Sequence, residues 1–207
     1  ATREGWQLDP DVVRVDRDEL LGRGGFVEGF RGKYLSSEVA VKVVRFRRSS
    51  TAPGAVDGFV SEVSLLTKLH HPNVVMIMGV VAEALPNGDR TVQIVTELMG
   101  KGSLRDIIDS EEWNASTCFL LRLATDAGRG LAFLHGRTPS VVHCDVKSPN
   151  VLVSDDWHGK VSGAPRSPAT VFSPSSHSLT SPLPRRLWPL AAAGSQRHAK
   201  AGRESGA

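Results

Sequence analysis

The feature that most constrains the fold is a change in the spacing of apolar residues along the first half of the chain. Val39, Val41 and Val43 alternate with other residues, which is the two-residue period of a half-buried strand. Over residues 56–70 the apolar positions recur instead at steps of three and four, as one face of a helix requires. Pro72 prevents that helix from continuing. In all, five β-favouring runs are present, the third of which contains these valines; they cover residues 12–21, 26–35, 38–46, 74–84 and 91–98. The sequence therefore predicts a five-stranded antiparallel sheet with one helix.

A second, mainly helical part is predicted to follow the sheet. Residues 100–102 contain two glycines that interrupt the chain, and Ser103 is suited to cap a short helix that runs to Asp109. A longer helix is predicted over residues 117–135, and short strands over 151–153 and 160–162. The inward face of the longer helix is predicted to comprise Leu120, Leu123, Ala124, Ala127, Leu131 and Leu134. The predicted fold class is α+β.

The last 45 residues differ sharply in composition from the rest. Residues 163–207 contain 6 Pro, 8 Ser, 8 Ala and 4 Gly, which cannot bury enough apolar surface to offset the entropy cost of ordering the chain. They also contain 6 of the 25 Lys and Arg but only 1 of the 22 Asp and Glu. We predict a disordered basic tail. Its arginines have no aromatic residues interleaved among them, so nucleic-acid binding is not expected.

The sequence also gives an expectation about location. No apolar run reaches the roughly 18 to 20 residues that cross a bilayer, and residues 1–10 lack the profile of a signal peptide. Cys118 and Cys144 are too few for a disulfide framework and lack the spacing of a zinc site. We therefore expect a cytoplasmic chain without a membrane partner.

Three motifs in order resemble those of a eukaryotic protein kinase. Val39-Ala40-Val41-Lys42 is similar to the strand that carries the ATP-binding lysine, and Glu62, twenty residues later on the predicted helix, is similar to its ion-pair partner. The segment His143-Cys144-Asp145-Val146-Lys147-Ser148-Pro149-Asn150 resembles the catalytic loop. Taken singly, each residue could equally be a surface charge or a turn former. The shared order and spacing favour the kinase interpretation.

The resemblance implies a role for each matching residue. Asp145 is the expected catalytic base, Lys147 is expected near the γ-phosphate, and Asn150 is the expected Mg²⁺ ligand. Thr96 takes the place of the gatekeeper, and the backbone from Glu97 to Met99 that of the hinge that binds adenine. Other positions of the expected ATP site are Gly22, Gly24, Val27, Ala40 and Leu152. The expected cofactors are ATP and Mg²⁺.

The sequence departs from the family pattern at three places. Val27 stands where the third glycine of the phosphate-binding loop belongs, and Gly29 where a valine belongs. Cys144 replaces the usual arginine before the catalytic aspartate. Gly163 follows Lys160-Val161-Ser162 where kinases continue into Asp-Phe-Gly, so the metal-binding aspartate is absent and activity should fall by orders of magnitude. One hypothesis is that the sequence after Ser162 results from translation past an exon end or through a frameshift.

Together these features predict a kinase-like bilobal fold, with a complete N-lobe and an incomplete C-lobe. The predicted regions are an N-terminal flank at 1–12, the N-lobe at 13–97, the hinge and partial C-lobe at 98–162, and the tail. The pattern Lys147-Ser148-Pro149-Asn150 resembles that of serine/threonine kinases of the tyrosine-kinase-like group, and the resemblance implies a protein substrate. The alternative is a non-catalytic pseudokinase fragment that binds a partner kinase or scaffold.

Overall fold

The computed structural model describes residues 5–23, 27–110 and 116–163. Gly24 and the predicted disordered tail lie outside these residues, apart from Gly163. Five antiparallel strands form one sheet, as predicted, and their order in it is β1-β2-β3-β5-β4. The elements of this lobe are β1 Val13–Arg23, β2 Val27–Tyr34, β3 Ser37–Phe46, α1 Ala55–Leu66, β4 Ile77–Ala84 and β5 Arg90–Glu97.

Alternate residues of the central strands point to opposite sides of the sheet. Both faces of the sheet carry a cluster of buried apolar side chains. On one face α1 packs against β4 and β5, and Phe59 of the helix lies against Phe46 of β3 with ring centroids 5.5 Å apart. The other face has its own cluster, built on Val39, Val41 and Val43. The three valines whose alternation predicted a strand therefore lie together in this second cluster.

Two boundaries differ from the prediction by three residues or more. The helix α1 ends at Leu66 and not at residue 70, because the amides of Lys68 and Leu69 donate to carbonyls three residues back and tighten the chain into a turn. β4 begins at Ile77 and not at residue 74. The amide of Val75 donates instead to Val161 O at 2.9 Å. Residues 74–76 therefore connect the sheet to the second part of the fold.

The N-terminal flank covers the edge of the sheet at β4. Leu8 N donates to Val80 O and Val80 N donates to Trp6 O, both at 2.9 Å. Gly79 permits this approach, because a β-carbon there would lie 2.6 Å from the Trp6 carbonyl oxygen and from Leu8 Cγ. The N–H and the carbonyl of Val80, on the edge strand, are thus both satisfied within the chain.

The second part of the fold contains α2 Leu104–Asp109, α3 Thr117–His135, β6 Val151–Val153 and β7 Gly159–Val161. Ser103 caps α2 as predicted, and Asp106 completes a capping box with it. On α3, Leu123, Ala127 and Leu134 are buried, but Ala124 is exposed, contrary to the prediction. None of the helices in the described residues is long and apolar enough to cross a membrane.

Candidate active site

A cleft lies where the sheet meets the second part of the fold. Its lining combines strands β1, β2, β3 and β5 with the segment after β5 and with β6; the residues are Leu21, Gly29, Ala40, Lys42, Thr96, Glu97, Leu98, Met99 and Leu152. The register of the sheet explains this arrangement, since Ala40 pairs with Thr96 and Lys42 pairs with Gly29. Six residues that the sequence assigned to one site therefore line one cleft. Leu21, Gly29 and Leu98 also line it, and strand register was the signal that could have found Gly29.

The segment after β5 is held by the side chain of Glu97. Its carboxylate accepts a hydrogen bond from Met76 N at 2.8 Å and lies 2.6 Å from Lys160 Nζ. Both charged side chains are only about one-fifth exposed. Met99 is buried against Val75 and Leu152. Glu97 of β5 thus holds both the residue that precedes β4 and Lys160 of β7, a role that the sequence did not reveal.

Lys42 projects into the cleft from β3 and is almost completely buried. Its Nζ lies 3.4 Å from Ser162 Oγ, immediately after β7. Burial lowers the pKa of Lys42 from 10.5 to about 7, because removal from water disfavours the charged amine. Glu62, its expected partner, is half-buried on α1.

Asp145, Lys147 and Asn150 form a compact group below the cleft. Lys147 Nζ lies 2.8 Å from Asp145 Oδ2, and Asn150 Nδ2 donates to the same oxygen at 2.9 Å and to the Asp145 carbonyl at 2.7 Å. Partial burial raises the pKa of Asp145, but the hydrogen bonds from Lys147 and Asn150 outweigh it, so the pKa lies below its usual value. Asp145 is therefore an ionised carboxylate at neutral pH, and both Lys147 and Asn150 contact its Oδ2.

His143 anchors this loop to the end of β7. Its Nε2 lies 2.9 Å from the Ser162 carbonyl, and Ser162 N donates to Asn150 O at 2.8 Å. Burial lowers the pKa of His143 more than the hydrogen bond to Ser162 and the charge of Asp145 raise it. The ring is therefore neutral at pH 7, and it donates from Nε2 to the carbonyl. The chain reverses sharply at Cys144, whose φ is 61°.

The loop between β1 and β2 is described only at its two ends. Gly22 pairs with Gly29 across the two strands, while Gly24 lies outside the described residues. Val27 does not line the cleft; its side chain is buried in the cluster under α1, with Val44 and Phe46. The structure therefore gives Val27 a packing position within the lobe.

The residues around the cleft fit Mg²⁺ poorly. Asn150 Oδ1 is buried and has no hydrogen-bond partner among the described residues, so it could offer one neutral oxygen. Magnesium requires near-octahedral coordination by oxygens, usually with one or two carboxylates. Asp145 is already engaged by Lys147, and position 163 is glycine. Within residues 5–23, 27–110 and 116–163, no group of three or more His, Cys, Asp or Glu side chains could hold a metal ion.

A five-stranded antiparallel sheet with one helix, joined at a cleft to a helical part that carries a His-Cys-Asp loop, defines the protein kinase class of folds. The family of protein tyrosine and serine/threonine kinases matches residues 15–165. The chain belongs to this family.

Comparison with individual proteins agrees with this assignment. The chain is 41% identical over 143 residues to the probable serine/threonine-protein kinase SIS8 of Arabidopsis thaliana, covering 69% of the chain and 13% of that protein. It is 37% identical over 156 residues to the probable serine/threonine-protein kinase drkD of Dictyostelium discoideum, covering 75% and 11%. It is 34% identical over 183 residues to the serine/threonine-protein kinase CTR1 of Arabidopsis thaliana, covering 86% and 21%. The chain thus spans less than a quarter of the length of these relatives.

Proposed function

We propose that this chain binds ATP in the cleft between the sheet and the second part of the fold. The observation that carries the proposal is that one cleft is lined by Lys42, by residues 97–99 and by Leu152, with Asp145 and Asn150 held beside Ser162. The adenine would lie between Ala40 and Leu152, against the backbone from Glu97 to Met99. The triphosphate would extend toward Lys42.

The reaction that these residues are suited to is transfer of the ATP γ-phosphate to a Ser or Thr hydroxyl of a protein. Asp145 would accept the proton of the attacking hydroxyl, since its carboxylate is ionised and oriented by Asn150. Lys147, 2.8 Å from Asp145, would neutralise charge on the phosphate that is transferred. The pattern from Lys147 to Asn150 supports a place in the tyrosine-kinase-like group of serine/threonine kinases. Gly163 supports a low rate, because it brings no carboxylate to the phosphates.

A second candidate is a non-catalytic module that binds a partner kinase or scaffold. Gly163 is the observation that favours it. The two candidates differ in phosphate transfer and share nucleotide binding, so a transfer assay separates them.

Nucleotide binding is tested by thermal melting of the full chain. ATP at one hundred times its dissociation constant should stabilise the folded state by about 2.7 kcal/mol. Lys42→Ala should lose the shift, whereas the exposed Lys33→Ala, a matched lysine on β2, should keep it. Absence of a shift in the unmodified chain would refute the proposal.

Phosphate transfer is tested with labelled ATP and a generic protein substrate rich in Ser and Thr. A catalytic chain should label the substrate slowly, and Asp145→Asn should abolish the labelling. Equal background labelling by the two proteins would favour the binding module.

A further inference from the structure

Two carboxylates at the cleft, those of Glu97 and Asp145, are already engaged by cations or donors of the chain itself. Glu97 is held by Lys160 and the Met76 amide, and Asp145 by Lys147 and Asn150. Gly163, the last described residue, brings no carboxylate to this end of the cleft. The donor set at the phosphate end of the cleft is therefore cationic and amide in character.

The backbone at position 163 is shaped around glycine. Gly163 has a φ of +142°, a conformation that side-chain-bearing L residues rarely adopt. A β-carbon there would lie 2.6 Å from His143 Nε2. The His143 ring is itself fixed by the Ser162 carbonyl. An aspartate at this position would consequently require His143 or the backbone to move, so the local packing is adapted to the absence of a side chain.

Two lysine side chains, Lys42 and Lys147, lie beside Ser162 and Asp145 respectively. Lys42 is buried in the cleft, where burial lowers its pKa to about 7, and a phosphate anion beside it would favour the protonated ammonium. Lys147 is about one-third exposed and lies beside Asp145. A phosphate oxygen that displaces Asp145 from Lys147, or shares that ammonium, gains a charge-assisted hydrogen bond.

We infer that the cleft takes ATP or ADP as the metal-free polyphosphate, with Lys42 and Lys147 supplying the countercharge that a divalent cation supplies elsewhere. This inference rests on the proposed nucleotide binding. It concerns whether the nucleotide binds with or without a divalent cation, and not whether phosphate is then transferred. Asn150 then acts as a positioning residue for Asp145.

The experiment measures the dissociation constant of ATP for the full chain by fluorescence or calorimetry, in excess MgCl₂ and in excess EDTA. The two constants should agree within about threefold, which corresponds to about 0.7 kcal/mol. Weakening by about tenfold or more in EDTA would overturn the inference and leave the proposed nucleotide binding intact. Absence of binding under both conditions would overturn both.

Two variants sharpen the test. Gly163→Asp should make binding depend on Mg²⁺, because it adds a carboxylate at the phosphate end. Since that variant strains residue 163 and could fail to fold, Lys147→Ala provides a second measurement on an accessible side chain.

Lys147→Ala should weaken binding of ATP in EDTA by about tenfold, and MgCl₂ should recover part of the loss because Asp145 is released. Lys33→Ala, which removes a lysine of the same charge outside the cleft, should change neither constant. Unchanged binding in EDTA after Lys147→Ala would contradict the role given to this ammonium.

Discussion

The ion pair between Glu97 and Lys160 should contribute more to stability than a surface pair, and a double-mutant cycle can measure the difference. Its atoms are 2.6 Å apart, and the side chains are 20% and 19% exposed. A hydrogen bond between charged groups contributes about 1.5–3 kcal/mol when it is shielded from water. We expect a coupling free energy of about 1.5 kcal/mol in the cycle of Glu97→Gln and Lys160→Met. Glutamine keeps an oxygen for the Met76 amide, so the cycle isolates the contact with Lys160.

Arg105 and Asp109 on α2 provide the matched control. This pair is 2.5 Å apart with the i,i+4 spacing of a helix, but its side chains are 56% and 51% exposed. Exposed helical pairs contribute about 0.3–0.5 kcal/mol. Both cycles can be measured by urea unfolding of the full chain, at low and at high salt. The coupling of Glu97 with Lys160 should persist at high salt while that of the exposed pair declines. A coupling for Glu97 and Lys160 no larger than that of the control would refute the reasoning.

Three other outcomes are expected. Gly79→Ala should lower the free energy of unfolding by about 1–3 kcal/mol, because its β-carbon meets the Trp6 carbonyl; an unchanged urea midpoint would contradict the packing of the N-terminal flank. Ser103→Ala should cost about 1 kcal/mol, since it removes the cap shared with Asp106, and hydrogen exchange of the first turn of α2 should accelerate. The pKa of Lys42 is about 7 in the folded chain and 10.5 ordinarily, so between these pH values the unfolded chain binds the proton and the folded chain does not. The free energy of unfolding should therefore rise with pH, by at most about 1.4 kcal/mol per pH unit. Lys42→Met should remove that slope between pH 7 and 9, and parallel curves for the two proteins would contradict it.

The sequence by itself determined the elements whose apolar spacing is local. The helix α3 begins at Thr117 and ends at His135 as predicted, and β3 begins one residue before the predicted start and ends at Phe46. These elements have a single apolar period and clear end signals, such as the cap at Ser116. The order of the motifs also predicted that Lys42 and Thr96 belong to one site, because side-chain identity at fixed spacing is itself local information.

Only the tertiary structure decided how the two parts of the fold meet. The end of α1 at Leu66, the pairing of Val74 with Val161 of β7 and the buried position of Val27 all depend on which surfaces lie opposite each other. The contact of Glu97 with Lys160 joins residues 63 positions apart. Apolar periodicity records which face of an element is buried, but not which partner buries it. Contacts between distant residues are selected by packing and by satisfaction of buried polar groups, and those are properties of the whole fold.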